Sequence, residues 1–223
     1  MSTYQSNRNL TIHSKGVFNG REVLTNHQLS QEYLASIEGV LTKSLQEYPR
    51  TFVVRVDLHL PSVMACREYP GAFNCEVITR FLESLKSQCK AHQERSRREG
   101  KRVHRNTLRY IWVKEQGDSD VPHYHLALLF NNDAYFTLGD YKSIKENLAG
   151  RIYKAWARAL MVDTDKVIGL VHFPIRRPTY HLNFNSNSFQ QDYNEVFKRL
   201  SYLAKFNTKN YGIRKKNFSA SWR

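Results

Sequence analysis

The sequence has few cysteines and no long apolar run, and each shortage excludes a class of protein. Its three cysteines, Cys66, Cys75 and Cys89, are nine and fourteen residues apart, which matches neither a zinc motif nor a disulfide framework. No apolar stretch reaches the roughly 18–20 residues that span a bilayer, and the N-terminus lacks the apolar stretch of a signal peptide. We therefore expect a cytoplasmic protein with no membrane partner.

Acidic residues are scarce relative to basic ones. The 223 residues include 34 lysines and arginines but only 20 aspartates and glutamates, for a net charge of +14. No acidic residue follows Glu195, and aromatic residues are interleaved with the basic ones of this last segment. Cations bind phosphates and aromatic rings stack on bases, so the pattern favours a nucleic-acid partner. The residues expected to make these contacts are Arg95, Arg97, Arg98, Lys101, Arg102, Lys209, Arg214, Lys215 and Lys216.

Apolar spacing predicts an α+β fold. Helices are predicted near 30–47, 75–98, 140–160 and 189–205, and strands at 51–60, 108–115, 123–130 and 167–173, with a further candidate strand at 179–184. Residues 1–28 are predicted to be a polar arm, 61–73 a loop and 117–122 a turn. From residue 51 to 173 the order is β-α-β-β-α-β, which favours a split βαβ arrangement, an antiparallel sheet with helices packed on it.

The strongest chemical pattern is a pair of histidines at the start of an apolar strand. His123 and His125 are separated by one residue, and alternate side chains of a strand point to the same face. Two neutral imidazoles on one face can bind a divalent metal, although two surface histidines with no ligand would give the same pattern. A cupin-type oxygenase is a poor alternative, because its carboxylate should follow the histidines and an apolar run follows here.

Glu115 strengthens the metal hypothesis. It ends the preceding strand, eight residues before His123, so a hairpin turn would bring it beside the two histidines. Two imidazoles and one carboxylate leave coordination positions open for a substrate oxygen. Mixed nitrogen and oxygen ligands suit Mg²⁺ or Mn²⁺, with other transition metals able to compete. The alternative is that Glu115 is only a solvated charge at the end of a strand.

A second pattern lies near the C-terminus, in the run Ser-Tyr-Leu-Ala-Lys. Tyr202 and Lys205 are three residues apart, so on a helix they share a face, away from the apolar stripe. A tyrosine oxygen can form a covalent intermediate, and a nearby ammonium can stabilise the developing charge. Taken alone, Tyr202 could equally be an ordinary exposed tyrosine.

Together these motifs resemble the HUH endonuclease superfamily. The resemblance covers about residues 51–209 and is greatest to single-tyrosine rolling-circle replication initiators of the inovirus and prophage group, the YagK/YfjJ type. It rests on VVRVDLHLP as the first motif, Glu115 with PHYHLALLF as the metal motif, and SYLAK as the tyrosine motif.

The resemblance implies a ferredoxin-like or RRM-like fold and a DNA-nicking activity in a bacterial host cell. Glu115, His123 and His125 would bind the metal, Tyr202 would attack the scissile phosphate, and Lys205 would assist. The products would be a 5′-phosphotyrosine and a free 3′-OH on single-stranded origin DNA, for use by a host polymerase. Asp57 and His59 share one face of the first strand, which in this family lies beside the metal strand, so either could support the ligands. The alternative, and the more ordinary one, is that both are polar residues facing solvent.

Two departures from the family pattern narrow the hypothesis. Some initiators carry a second tyrosine four residues after the first, but Phe206 occupies that position here. The chain also lacks a Gly-x-x-x-x-Gly-Lys-Ser/Thr phosphate loop, so we expect a separate host helicase and no small-molecule cofactor.

The expected organisation is an arm and helix over 1–50, the endonuclease domain over 51–209 and a basic tail over 210–223. The role of the first fifty residues stays open between a DNA-binding arm and a packing cap. A non-catalytic DNA-binding regulator on the same fold, or a transposase or relaxase of the same superfamily, are alternatives that the motifs do not exclude.

Overall fold

The computed structural model describes residues 10–62, 76–116, 121–206 and 217–221, which form an α+β fold. Four short strands pair as two ribbons before the first helix: β1 (Ile12–His13) with β4 (Leu29–Ser30), and β2 (Val17–Phe18) with β3 (Arg21–Glu22). Helix α1 (Gln31–Glu47) follows directly, with the Ser30 hydroxyl capping its first turn. No helix among the described residues combines the length and the apolar character needed to cross a membrane.

A six-stranded antiparallel sheet forms the centre of the fold. Its strands are β5 (Arg50–His59), β6 (Arg109–Glu115), β7 (His123–Asn131), β8 (Val171–His172), β9 (Thr179–Asn183) and β10 (Phe218–Ala220). The remaining helices are α2 (Val77–Arg98), α3 (Leu148–Leu160) and α4 (Phe189–Leu200). The strand order is β10-β6-β7-β5-β8, and β9 pairs with β5 as well. Strand β5 is therefore central, with β7 along one edge and both β8 and β9 along the other.

Each face of the sheet has its own hydrophobic core. On one face, alternate residues of β5 and β7 pack with helices α2 and α3 around the fully buried Trp156. On the other face, Val53, Ile111 and Leu129 pack with α1 and α4. Strand β10 lies within the segment that the sequence assigns to a basic tail, and it pairs with β6 at the edge of the sheet.

The helix predicted over 140–160 begins only at Leu148. The Asn147 side chain caps α3 by accepting a hydrogen bond from the Gly150 N–H at 2.8 Å. The chain folds back over this first turn so tightly that a Cβ on Gly150 would lie 1.8 Å from the Lys145 carbonyl oxygen. The prediction was wrong for 140–147 because apolar spacing does not register a cap.

The strand predicted over 167–173 was also wrong for most of its length. Thr164–Leu170 form a 3-10 helix, and only Val171–His172 pair with β5. Val167 and Val171 are buried while Ile168 is exposed, so the buried residues follow a helical spacing of four rather than the alternation of a strand.

The last predicted helix, 189–205, ends early at Leu200. Ser201–Ala204 form a 3-10 helix, and the Ser201 hydroxyl donates a hydrogen bond to the Lys198 carbonyl at 2.7 Å. The predicted polar arm, residues 1–28, contains the strands β1–β3, and β4 follows it directly. Most of the predicted loop at 61–73, the turn residues 117–120, Cys66 and Cys75 lie outside the described residues.

Candidate metal centre and tyrosine

The hairpin of β6 and β7 brings the three predicted metal ligands together. Glu115 lies directly opposite His123 in the register, and Val113 lies opposite His125. Because side chains alternate along a strand, Glu115, His123 and His125 all project to the face that carries α1 and α4. These residues lie beyond the apolar part of that face, at the end of the sheet where β6 ends and β7 begins.

The ligand atoms are close enough to share one ion. The Nε2 atoms of His123 and His125 are 3.1 Å apart, and the His125 Nε2 is 3.6 Å from the Glu115 Oε2. The three ligand atoms all lie within 4.8 Å of one another. Atoms bound at right angles to one ion at about 2.1 Å would lie about 3.0 Å apart. The donor set and its spacing therefore fit a divalent cation with mixed nitrogen and oxygen ligands.

Asp57 orients one of the two imidazoles. Residues Asp57 and His125 are opposite each other in the β5–β7 register, and the Asp57 Oδ1 lies 2.7 Å from the His125 Nδ1. A carboxylate on Nδ1 keeps the proton there and leaves Nε2 free to bind a metal, the usual arrangement behind a metal-binding histidine. His59 lies opposite His123 and stacks on its ring, with centroids 5.2 Å apart and planes 8° from parallel.

The electrostatic environment keeps two of these imidazoles neutral. Burial, followed by the neighbouring His172 and His123, lowers the pKa of His59 to about 4. Burial and the neighbouring His125 likewise lower the pKa of His123. For His125, burial acts to lower the pKa, but the carboxylates of Asp57 and Glu115 outweigh it and raise the pKa. A neutral imidazole is the form that binds metal, so His123 is ready to act as a ligand at neutral pH.

Tyr202 lies against the metal-ligand cluster. Its ring meets the His125 ring edge to face, with centroids 5.3 Å apart, and it meets His27 in the same way at 5.8 Å. Burial, with the negative charges of Glu115 and Asp57, raises the pKa of the Tyr202 hydroxyl. The 3-10 helix after α4 therefore carries the tyrosine back to the same end of the sheet as the ligands.

The N-terminal segment holds the tyrosine turn in place. The Ser201 hydroxyl accepts a hydrogen bond from the Leu24 N–H at 3.0 Å, and the Phe206 N–H donates to the Gln28 carbonyl at 2.8 Å. Lys205 and Leu29 form an isolated antiparallel bridge. Residues 24–29 thus pack beside the candidate site and fix the backbone on both sides of Tyr202.

Residues 13–221 match the protein family described as the YagK/YfjJ C-terminal domain. The chain belongs to this family. It is similar to the uncharacterized protein YagK of Escherichia coli K12, with 43% identity over 193 residues that cover 85% of this chain and 92% of YagK. It is also similar to the uncharacterized protein YfjJ of the same strain, with 34% identity over 194 residues, 85% of this chain and 93% of YfjJ.

No solved structure gives a significant match to the chain. The matched family domain extends from β1 to the residue after β10, so both the ligand cluster and Tyr202 lie inside it.

The other predicted site residues of this family domain are divided among three places. The Lys205 ammonium lies 5.6 Å from the centre of the Tyr202 ring. Arg95, Arg97 and Arg98 end helix α2, and Lys101 and Arg102 follow it; α2 packs on the opposite face of the sheet from the site. The predicted DNA contacts Lys209, Arg214, Lys215 and Lys216 lie outside the described residues.

Sequence reasoning missed two arginines that the fold brings to the site. Arg55 is 2% exposed; its guanidinium donates to the Leu126 carbonyl and lies 3.3 Å from the Asp57 carboxylate. Arg199 contributes positive charge that opposes the raised pKa of Tyr202. The sequence could have indicated Arg55, because it alternates with Asp57 and His59 along β5 and so lies on the same face of the strand. It could also have indicated Arg199, because residues three apart on a helix are neighbours and Arg199 lies three residues before Tyr202.

Proposed function

We propose that this protein is a metal-dependent enzyme that nicks and rejoins single-stranded DNA through Tyr202, in the manner of HUH endonucleases. Its role would be to initiate rolling-circle replication of a phage, prophage or plasmid. The observation that carries the proposal is the edge-to-face contact of Tyr202 with His125, one of three potential metal ligands within 4.8 Å of one another. A tyrosine beside a set of metal ligands is an arrangement that suits metal-assisted transfer of a phosphoryl group to a protein side chain.

The proposal includes the split βαβ topology of that superfamily. The strand order β6-β7-β5-β8, with α2 between β5 and β6 and α3 between β7 and β8, supports it. In this arrangement β5 and β7 are neighbours at the centre of the sheet, so Asp57 and His59 lie beside the two histidine ligands. The sequence resemblance had attributed the same neighbourhood to these two residues.

The reaction forms one bond and breaks one. The Tyr202 oxygen bonds to the phosphorus as the bond from phosphorus to the 3′ oxygen breaks, and the phenolic proton is lost while the 3′ oxygen gains one. Because its pKa is raised by burial and by Glu115 and Asp57, Tyr202 keeps its proton until the reaction step. Lys205 and Arg199 place positive charge near the phenol, which stabilises the oxyanion as it develops.

A divalent ion, when bound, would polarise a phosphate oxygen and orient the strand. Glu115, His123 and His125 would hold it, with Mg²⁺ or Mn²⁺ as the expected ion. Asp57 would keep the His125 ring in its ligand orientation. The phosphotyrosine keeps the energy of the phosphodiester, so the 3′-OH can reverse the reaction and rejoin the strand without ATP.

The test is covalent capture of DNA from a single-stranded library with a randomised window, in the presence of Mn²⁺. The protein is denatured, the attached DNA is sequenced, and the recovered site is then made as end-labelled oligonucleotides. A 3′-labelled strand should migrate with the protein on a denaturing gel, and a 5′-labelled strand should give a shortened fragment that a polymerase extends.

Tyr202→Phe should abolish the adduct, whereas Tyr48→Phe should not. Tyr48 is a half-buried tyrosine at the end of α1 that bonds Thr107, so it controls for the loss of a phenol elsewhere. Binding of DNA with no adduct in the wild-type protein would contradict the proposal and favour a non-catalytic regulator.

A further inference from the structure

A basic hollow lies on the far side of the sheet from Tyr202. It has a volume of about 380 Å³ and is lined by residues of α2, of α3 and of the segment before α3. We call it the α2–α3 cleft. Five cationic side chains line it, against a single carboxylate, Glu146. The cations are Arg95, Lys145, Arg151, Lys154 and Arg158.

Arg151 is the most buried of the five cationic side chains that line the cleft. The residue is only 7% exposed, yet no hydrogen bond or ion pair to its guanidinium is found among the described residues. Burying a charge without a partner costs several kcal/mol, by order of magnitude, so buried cations are normally paired. Arg55 follows that rule, because it contacts both Asp57 and a backbone carbonyl. Arg151 lines a hollow instead, where an anion could serve as its partner.

The carboxylates near the cleft are engaged with its outer cations. Glu146 is 65% exposed and pairs with Lys154 and, at 3.7 Å, with Arg95. Lys145 pairs with Asp140 at 2.8 Å. Positive charge thus remains around Arg151 and Arg158. Burial, followed by the charges of Arg151 and Arg95, lowers the pKa of His92 in the cleft wall, which reflects the same positive field.

The basic surface continues beyond the cleft. A smaller hollow shares His92 with it and is lined also by Arg102 and His104, in the connection after α2. The two hollows therefore adjoin at His92. A phosphate in the first hollow could belong to a longer polyanion that passes over the second.

We propose that the α2–α3 cleft is a second anion site that binds a phosphate group, with Arg151 as its central contact. Two sources of that phosphate have the same chemistry: the backbone of a nucleic acid, and a free phosphorylated small molecule. The site goes beyond the proposed nicking reaction, because the sheet separates α2 and α3 from the face where Tyr202 packs. Its test does not depend on nicking.

The decisive variant is Arg151→Met, which removes the charge while keeping an unbranched apolar side chain. Inorganic pyrophosphate should bind the wild-type protein and raise its Tm, and Arg151→Met should raise Kd about tenfold or more, as expected for the loss of one contact to a charged group. The anion-free variant should melt at the same temperature as the wild type, because the Arg151 guanidinium makes no hydrogen bond or ion pair among the described residues whose loss would destabilise the fold. This last readout separates a binding role from a structural one.

Arg98→Met is the matched control. Arg98 is an exposed residue of the same basic segment that does not line the cleft, so its loss removes the same charge. Arg158→Met is a second test variant at an exposed position of the cleft, chosen because it should not affect folding. Pyrophosphate affinity should fall with Arg158→Met and stay near wild type with Arg98→Met.

Binding of a labelled single-stranded oligonucleotide identifies the source of the phosphate. If the source is nucleic acid, Arg151→Met binds the oligonucleotide more weakly than the wild type does, and pyrophosphate displaces the oligonucleotide from the wild type. If the source is a small molecule, Arg151→Met loses pyrophosphate affinity but keeps the oligonucleotide affinity of the wild type. Wild-type affinity of Arg151→Met for pyrophosphate would overturn the proposal.

Discussion

The two faces of the central sheet are built from the same strands, but their chemistry differs. Along β5, the residues at 52, 54, 56 and 58 are apolar and 0% exposed, and they pack with α2 and α3. The alternate residues, which point to the other face, are Val53, Arg55, Asp57 and His59. The first is apolar and the next three are charged or titratable. One face is thus continuous core, whereas the other is core at one end and candidate site at the other.

The difference shows how a small sheet can carry both stability and chemistry. Pairing with β7 and with β8 and β9 on its two edges fixes the backbone of β5, and the apolar face anchors it to two helices. The polar residues of the other face are therefore held by a backbone that strand pairing and the apolar face already fix. Four predictions test this comparison, and the first has the largest expected effect.

Neighbouring residues on opposite faces should differ most in their effect on stability. Leu58→Asn should lower the free energy of unfolding by about 4 kcal/mol, because it leaves a cavity and a buried amide without partners. His59→Asn should change it by less than about 1 kcal/mol, since His59 is partly exposed on the polar face. Urea denaturation followed by circular dichroism measures both, and similar losses would break the distinction between the faces.

Metal binding should depend on the polar face alone. His125→Ala should weaken Mn²⁺ binding more than about 100-fold in calorimetric titration, because the loss of a ligand exceeds the loss of a supporting contact. His181→Ala is the control, since His181 is an exposed histidine of β9 that bonds Asn132. A chelator should lower the Tm of the metal-loaded wild-type protein and leave that of His125→Ala unchanged. Equal Mn²⁺ affinity in the two variants would contradict the assignment of His125 as a metal ligand.

The supporting carboxylate should have a smaller effect than the ligand. Asp57→Asn preserves shape but removes the negative charge that raises the pKa of His125, so the imidazole becomes a weaker ligand. We expect Mn²⁺ affinity to fall about 10- to 100-fold. Asp133→Asn, which removes a carboxylate paired with Arg50 instead, should leave the affinity unchanged. An Asp57→Asn protein with wild-type affinity would show that the contact is structural only.

The smallest effect is expected where the N-terminal segment meets the tyrosine turn. Ser201→Ala should cost about 1 kcal/mol, because the Leu24 N–H loses its acceptor. The rate of adduct formation should fall several-fold, since Tyr202 is the next residue and its backbone is held less firmly. Ser186→Ala, at an exposed turn, serves as the control in the same unfolding and rate measurements. If the two variants behaved alike, the segment would not position the tyrosine.

The cluster of candidate metal ligands could be predicted from the sequence because all the information for it is local. Alternation along β7 puts His123 and His125 on one face, and a hairpin with β6 returns Glu115 to them. The bounds of β5, β6 and β7 were likewise predicted to within one residue at each end. The errors came where side-chain caps and tertiary packing overrode apolar spacing, at the starts of α3 and β8 and after α4.

The sequence by itself determined the α+β class, the ligand cluster and the basic character of the chain, since these depend on short-range periodicity and composition. Only the tertiary structure decided that Tyr202 approaches His125 and that Arg151 faces a basic cleft on the opposite side. Both depend on contacts between segments distant in the chain, which form when helices pack on the two faces of the sheet. No local pattern specifies which residues such packing brings together.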